Sequence, residues 1–431
     1  MTFAPTPCLP AIVHQHVEEA AHLSHVRGVL VTAPHVEMYA LRRHDERLAA
    51  HLDGIAVAGD HGWAACEEIL EAGDDGAVFT VSVRAIEDSH AAHIDRMLPL
   101  AQTLPAARHE LASALNWVSG QRLRGLTARL FASPDAVSRA LAIVACAAHR
   151  VDPGKGLTLA LSDADATLRA CGLRAAGECG RQDLRDACAD AARRDGDTLA
   201  RFSAARSAVL LGERQVACSV LRELASEAGP HRSEALHLLL KVLPPNDAGW
   251  LLKRLSDEDG ARRELLRAVG VAGDPHYMPW LIDRMREPDA ARLAGEAFAM
   301  LTGCDLSSAA FIKIPPEDDD GTEDEEDALP EDASEDDDIV LLDEDDDLPE
   351  PDPDKISGWW QANGQRFAPG TRYFMGEPPS PSHCLSVLKS GFQRQRIAAA
   401  IWLCLLNPGT PLFNTAAPAW RQQQWLNAMT A

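Results

Sequence analysis

The sequence predicts an all-α chain built as a stack of short helical hairpins, and three observations predict it. Arginine recurs at Arg108, Arg139, Arg169, Arg201, Arg232, Arg262 and Arg292, at intervals of 30 to 32 residues. Aspartates stand three or four residues before several of these, at Asp135, Asp165, Asp197, Asp259 and Asp289. An acidic side chain there can cap the unpartnered amides that open a helix. Glycine closes the same segments at Gly177 and Gly180, Gly270 and Gly273, and Gly303, where left-handed backbone is cheap only for glycine. A fixed period of two short helices means stacked units, none of which buries its apolar face alone.

The stretch Asp165–Gly180 carries the pattern most completely. Leu168, Cys171, Gly172, Ala175 and Ala176 recur at helical spacing, giving one apolar face of small residues suited to close packing. A shorter apolar helix precedes each such segment, as in Leu157–Leu161, Trp250–Leu255 and Trp280–Met285.

These residues resemble HEAT repeats, specifically the thirty-residue bacterial kind, over roughly residues 96 to 306. The resemblance implies a ladder in which a turn aspartate and the arginine opening the second helix tie neighbouring units together. Its rungs here are Asp135 with Arg139, Asp165 with Arg169 and Asp197 with Arg201, with weaker copies at Asp259 with Arg262 and Asp289 with Arg292. The whole chain also resembles an uncharacterised proteobacterial HEAT-like family often encoded among type VI secretion genes. That implies a secretion-associated adaptor, chaperone or immunity partner.

Residues 1–95 form an N-terminal helical region outside the clean repeat, with helices expected over Ile12–Leu30, Glu37–Ile55 and Trp63–Leu70. Ten of the sixteen histidines lie here, and His14, Glu18 and His22 share one helix face. Imidazole and carboxylate one turn apart can share a metal ion. No HExxH or comparable signature accompanies them, so they are read as polar surface residues, and neither a metal nor another cofactor is expected.

Residues 96–312 hold the repeats. Seven arginines in register are either a basic stripe for an acidic partner or structural ties to nearby aspartates. The second reading is preferred, since such partly desolvated pairs fix register more surely than they add stability. His109-Glu110 is a single His-Glu pair, whereas HEAT-repeat di-iron hydroxylases carry several, and two irons demand more ligands. HEAT-like DNA glycosylases need a cationic groove.

Residues 313–355 form an acidic linker. Pro315–Asp354 contains 23 Asp and Glu and no Lys or Arg, so all but one unit of the net charge of −24 belongs to it. Such a composition buries too little surface to offset chain entropy, and disorder is expected. The near-neutral remainder argues against a nucleic-acid surface. Within the tract, Ile339, Val340, Leu341 and Leu342 make an apolar island, either incidental to a spacer or a docking motif for another protein.

Residues 356–431 form a C-terminal HEAT-like capping region. Trp359 and Trp360 open it as candidate partner-binding residues, and His383–Leu388 and Arg394–Leu406 spell one more hairpin, ended at Asn407-Pro408-Gly409. The tryptophans of this region are expected to seal the open end of the array. Ten cysteines occur singly, without CxxC, and no apolar run reaches membrane-spanning length, so a reducing cytoplasm is expected. No nucleophile–base pair, phosphate loop or dinucleotide fingerprint is present. The functional expectation is a non-catalytic scaffold that binds another protein through its concave face. The alternative is a metal-dependent or nucleic-acid-modifying enzyme on a HEAT-like scaffold.

Overall fold

Three helices of the repeat region begin the same way. Asp135, Asp165 and Asp197 are extended at the N-cap, and their carboxylates accept from the amides of Ser138, Leu168 and Ala200 at 2.7, 2.8 and 2.9 Å. Each satisfies an amide that has no partner within the helix. The structure is a computed structural model that describes residues 8–73, 75–308, 310–313, 345 and 347–430. The chain is all-α, and among the described residues extended pairing is limited to isolated bridges. It divides into two compact units, Met1–Leu243 with Pro379–Ala431, and Pro244–Pro378.

The first unit opens with α1 (Pro10–Leu30), α2 (Met38–Val57), α3 (Asp60–Ala72) and α4 (Asp75–Glu87). The first three match the expected helices within a few residues. Hairpins follow: α5 (Ala91–Thr103) with α6 (Pro105–Trp117), α7 (Leu126–Phe131) with α8 (Ala136–Ala148), and α9 (Lys155–Ala160) with α10 (Ala166–Glu178). Then come α11 (Arg185–Arg194) with α12 (Thr198–Leu210), and α13 (Gln215–Ser226) with α14 (Arg232–Val242). The second helices stack in chain order: α4 on α6, α6 on α8, α8 on α10 and α10 on α12. Small residues permit this. Gly177 lies so near Ser207 that a Cβ would come within 2.7 Å of its Cα.

The second unit repeats the scheme with α15 (Pro245–Ser256), α16 (Arg262–Ala272), α17 (Met278–Arg284) and α18 (Pro288–Thr302), joined by α19 (Pro353–Asn363). Asp345 is buried there between the guanidinium groups of Arg263 and Arg267. Trp359 and Trp360 meet Phe298 edge-on, with ring centroids 5.7 and 6.2 Å away. They pack against α18.

The C-terminal region expected as one cap is divided between the units. Its later part, α20 (Pro381–Ser390), α21 (Gln393–Leu406) and α22 (Ala419–Thr430), belongs to the first unit. Residues 407–418 run along the C-terminal ends of the second helices instead of closing the end of a stack. Helix ends leave carbonyls without partners, and this returning strap supplies donors. The Leu412 amide donates to the Glu178 carbonyl at 2.9 Å, and the Asn414 side chain donates to the Ala148 carbonyl at 3.0 Å. Asn116 donates to the Ala416 carbonyl at 3.1 Å. Arg150 bridges the carbonyls of Ala147 and Leu412, placing positive charge where the helix dipole is negative.

Candidate binding cleft

The repeat arginines do not pair with the aspartates of their own caps. Arg139 Nη2 donates to Asp163 at 3.0 Å, Arg169 grips Asp195 with two bonds of 2.8 Å, and Arg201 Nη2 donates to Glu223 at 2.8 Å. Each reaches into the following hairpin. Asp163 and Asp195 stand two residues before the next cap and also accept from the amides of Asp165 and Asp197 at 3.0 Å. The ladder is thus a relay in which one aspartate caps and its neighbour receives the arginine. Sequence reasoning missed Asp163, Asp195 and Glu223; the Asp-x-Asp spacing at 163–165 and 195–197 was the available signal. In the second unit Arg262 pairs with Glu287, the N-cap residue of α18, and Arg292 is half-buried on α18.

Ile339, Val340, Leu341 and Leu342 lie outside the described residues. Of the N-terminal histidines, His14 lies 3.4 Å from Glu68, and the His16 and His51 Nδ1 atoms are 3.2 Å apart. Among the described residues no group of three or more His, Cys, Asp or Glu could hold a metal ion. No helix among them is long and apolar enough to cross a membrane.

Where the strap turns into α22, it leaves an open cleft of about 970 Å³ against the ends of α4, α6 and α8. Two residues from distant parts of the sequence hold α22 there. The buried Asp45 carboxylate pairs with Arg27 at 2.7 Å and accepts from the Ala419 amide at 2.7 Å, capping the new helix. Arg421 donates to the carbonyls of Asn116, Trp117 and Val118 at 2.6, 3.0 and 2.7 Å, closing the C-terminal end of α6. Burial lowers its pKa to about 10, so the group stays charged at neutral pH, and among the described residues no carboxylate is its hydrogen-bond partner.

Aromatic rings form the apolar part of the cleft. Trp117 and Trp420 meet edge-to-face at 5.0 Å, the Arg27 guanidinium lies 5.4 Å over Trp117, and Trp425 packs on Phe413 at 5.8 Å. Trp420 is 37% exposed. His149 shares a 2.9 Å hydrogen bond with the Leu115 carbonyl, so its Nε2 carries the proton. Burial, aided by Arg421, lowers its pKa and keeps it neutral. Glu87 is raised by burial, against the pull of Arg84. Burial also pushes up the Cys146 thiol, leaving it protonated at neutral pH and a poor nucleophile. Arg124 is exposed at the mouth.

Compared with known proteins, the chain matches no protein-family model, no curated protein and no solved structure. The cleft therefore carries the functional argument unaided. Its volume lies at the upper end of the ~300–1,000 Å³ common for ligand sites, and its lining mixes stacked indoles with a few placed polar groups. Such a surface suits binding, since Trp and Arg dominate interface energetics. The five tryptophans of the last 73 residues were the available signal, although the structure uses Trp420 and Trp425 here and buries Trp359 and Trp360 partly against α18.

Proposed function

We propose that this chain is a non-catalytic protein-binding scaffold of the HEAT-repeat kind, whose partner docks in the cleft between α22 and the ends of α6 and α8. The observation that carries this reading is the half-exposed indole of Trp420, set on Trp117 beside Trp425 in an open cleft of about 970 Å³. Half-exposed, rigid aromatic side chains supply contact area at small entropic cost and anchor interfaces. The capped, ladder-tied hairpins support the HEAT-like reading. The setting implied by the sequence resemblance, bacterial type VI secretion, gives the role of adaptor, chaperone or immunity partner.

Replacing Trp420 and Trp425 together with alanine tests the reading. Wild-type and variant protein, both checked for helical content, are used to purify partners from the native host with quantitative mass spectrometry. A protein retained near stoichiometrically by wild type is expected to be lost from the double variant. Full retention of every partner by the variant would overturn the cleft as the docking site.

A further inference from the structure

The charges of the cleft identify the chemistry of what it holds; this inference rests on the binding role proposed above. The chain as a whole is strongly acidic, with a formal charge of −24, yet the cleft is not. Two arginines, Arg421 and Arg124, and one carboxylic side chain, Glu87, line it. Glu87 is held by Arg84 Nη1 at 2.9 Å; Arg122 and, with opposite sign, Asp53 and Asp88 act on the same carboxylate. The hydrogen bonds of the Arg421 guanidinium go to carbonyl oxygens, which orient it without neutralising it. Arg124 is exposed on the loop before α7, and among the described residues its side chain has no carboxylate partner. Among the lining side chains two arginines stand against one carboxylate, beside the indole rings.

We propose that the cleft binds an acidic peptide segment of a partner protein, with a bulky apolar side chain between the indoles and a flanking carboxylate on Arg124. Charge complementarity carries the choice of occupant. An anion gains at Arg124 and Arg421, while a cationic segment would place its charge against two arginines in a partly dry site. A peptide is favoured over a nucleic acid because a polyanion binds by neutralising many phosphates, and the cleft lining offers two arginines within a chain of net charge −24. Arg421 fixes the position of the helix carrying Trp420 and Trp425, so the same residue builds the apolar wall and places behind it a guanidinium held, among the described residues, by carbonyl oxygens alone.

The test uses the full chain and a fluorescein-labelled octapeptide of six Asp and Glu residues around a central pair of leucines. Two controls accompany it, the same peptide with lysine for every acid and an eight-nucleotide single strand. Anisotropy titrations are run at 50 and 300 mM salt. The acidic peptide is expected to bind at least tenfold more tightly than the lysine peptide and to weaken several-fold at the higher salt, since exposed charges are screened. Arg124→Glu, an exposed change that leaves the fold intact, is expected to lower affinity at least tenfold. The Trp420→Ala, Trp425→Ala variant should lose the peptide too. Equal binding of both peptides, tighter binding of the oligonucleotide, or an Arg124→Glu variant that binds like wild type would overturn the acidic-peptide proposal. Failure of these arms alongside tryptophan-dependent capture of a host protein would leave the scaffold reading standing with a partner of different chemistry.

Discussion

Arg169 reaches out of its own hairpin to Asp195 in the next, with its Nε and Nη2 each 2.8 Å from a carboxylate oxygen. Arg169 also donates from Nη1 to the carbonyls of Asp163 and Ala164 at 2.9 and 3.0 Å. One planar guanidinium therefore fixes the turn before α10 and the turn before α12 at once. The forked geometry explains why arginine, and not lysine, recurs at this position.

Arg169→Ala is expected to destabilise the protein by about 1–3 kcal/mol, because Asp195 would keep its burial and lose its main partner. Asp195→Ala should cost a similar amount, and the double variant less than the sum. Asp165→Ala removes a cap and should cost about 0.5–2 kcal/mol, adding independently to the loss of Asp195's side chain. Urea unfolding of these four variants and of the Asp165→Ala, Asp195→Ala double checks the pattern. Strict additivity of Arg169→Ala and Asp195→Ala would show that the pair contributes no coupling.

Acid sensitivity should centre on Glu178. Burial alone would raise its carboxyl, but Arg174, Arg206 and Arg150 surround it and hold its pKa down to about 2. The folded value lies below the unfolded one, so the stabilisation is present above about pH 4.5 and is lost as pH falls through 2. The shift corresponds to roughly 3 kcal/mol at neutral pH. Glu178→Gln is expected to be less stable than wild type at pH 6, with the gap narrowing steadily toward pH 2.5. Urea midpoints at four pH values measure this, and a gap that stays constant would refute the assignment.

Arg396 presents the opposite case, a guanidinium with no exposed surface and, among the described residues, no carboxylate as a hydrogen-bond partner. Its donors go to the Leu388 carbonyl, to Gln393 Oε1 and to Gln422 Oε1. Burial lowers its pKa to about 10. Removing the charge relieves its desolvation, but it leaves three buried oxygens without a donor. The second effect should win: Arg396→Met is expected to cost about 2–4 kcal/mol, at 1–3 kcal/mol for each unsatisfied acceptor less the relief. A thermal melt above wild type would show that desolvation dominates instead.

The helices and their starts were legible in the sequence because their causes are local. A capping aspartate, a small-residue stripe and a closing glycine all act within one turn or two, so Asp165 and Gly180 could be placed from the residues themselves. The partner of Arg169 was not legible, since it is set by how one hairpin stacks on the next. Helix α4 was missed for a different reason. Val78 through Ile86 is buried on nearly every side, so no amphipathic stripe marks it. The strap and α22 were missed because residues 407–418 carry no periodicity at all. They are held by backbone carbonyls at other helix ends, and every sequence offers those. The cleft, which depends on where α22 lands, was hidden with them.

Gly180 joins the local and the distant causes, and its substitution separates them. At φ +68° it closes α10, with the Arg181 amide donating back to the Ala176 carbonyl at 2.9 Å. A side chain there would meet strained backbone at about 1–2 kcal/mol. It would also overlap the Gly409 carbonyl of the strap. Gly73, at φ +85° and ψ +21° at the end of α3, isolates the backbone effect, because no atom beyond its neighbours in the chain lies within 4 Å of where a Cβ would stand. Gly73→Ala is expected to cost about 1–2 kcal/mol, and Gly180→Ala about 2–4 kcal/mol. In hydrogen exchange, Gly180→Ala should also speed the Leu412 amide, whose bond to Glu178 depends on the seating of the strap. Equal costs for the two variants, with Leu412 protected in both, would mean that Gly180 is required for the helix end alone and that the strap yields without loss.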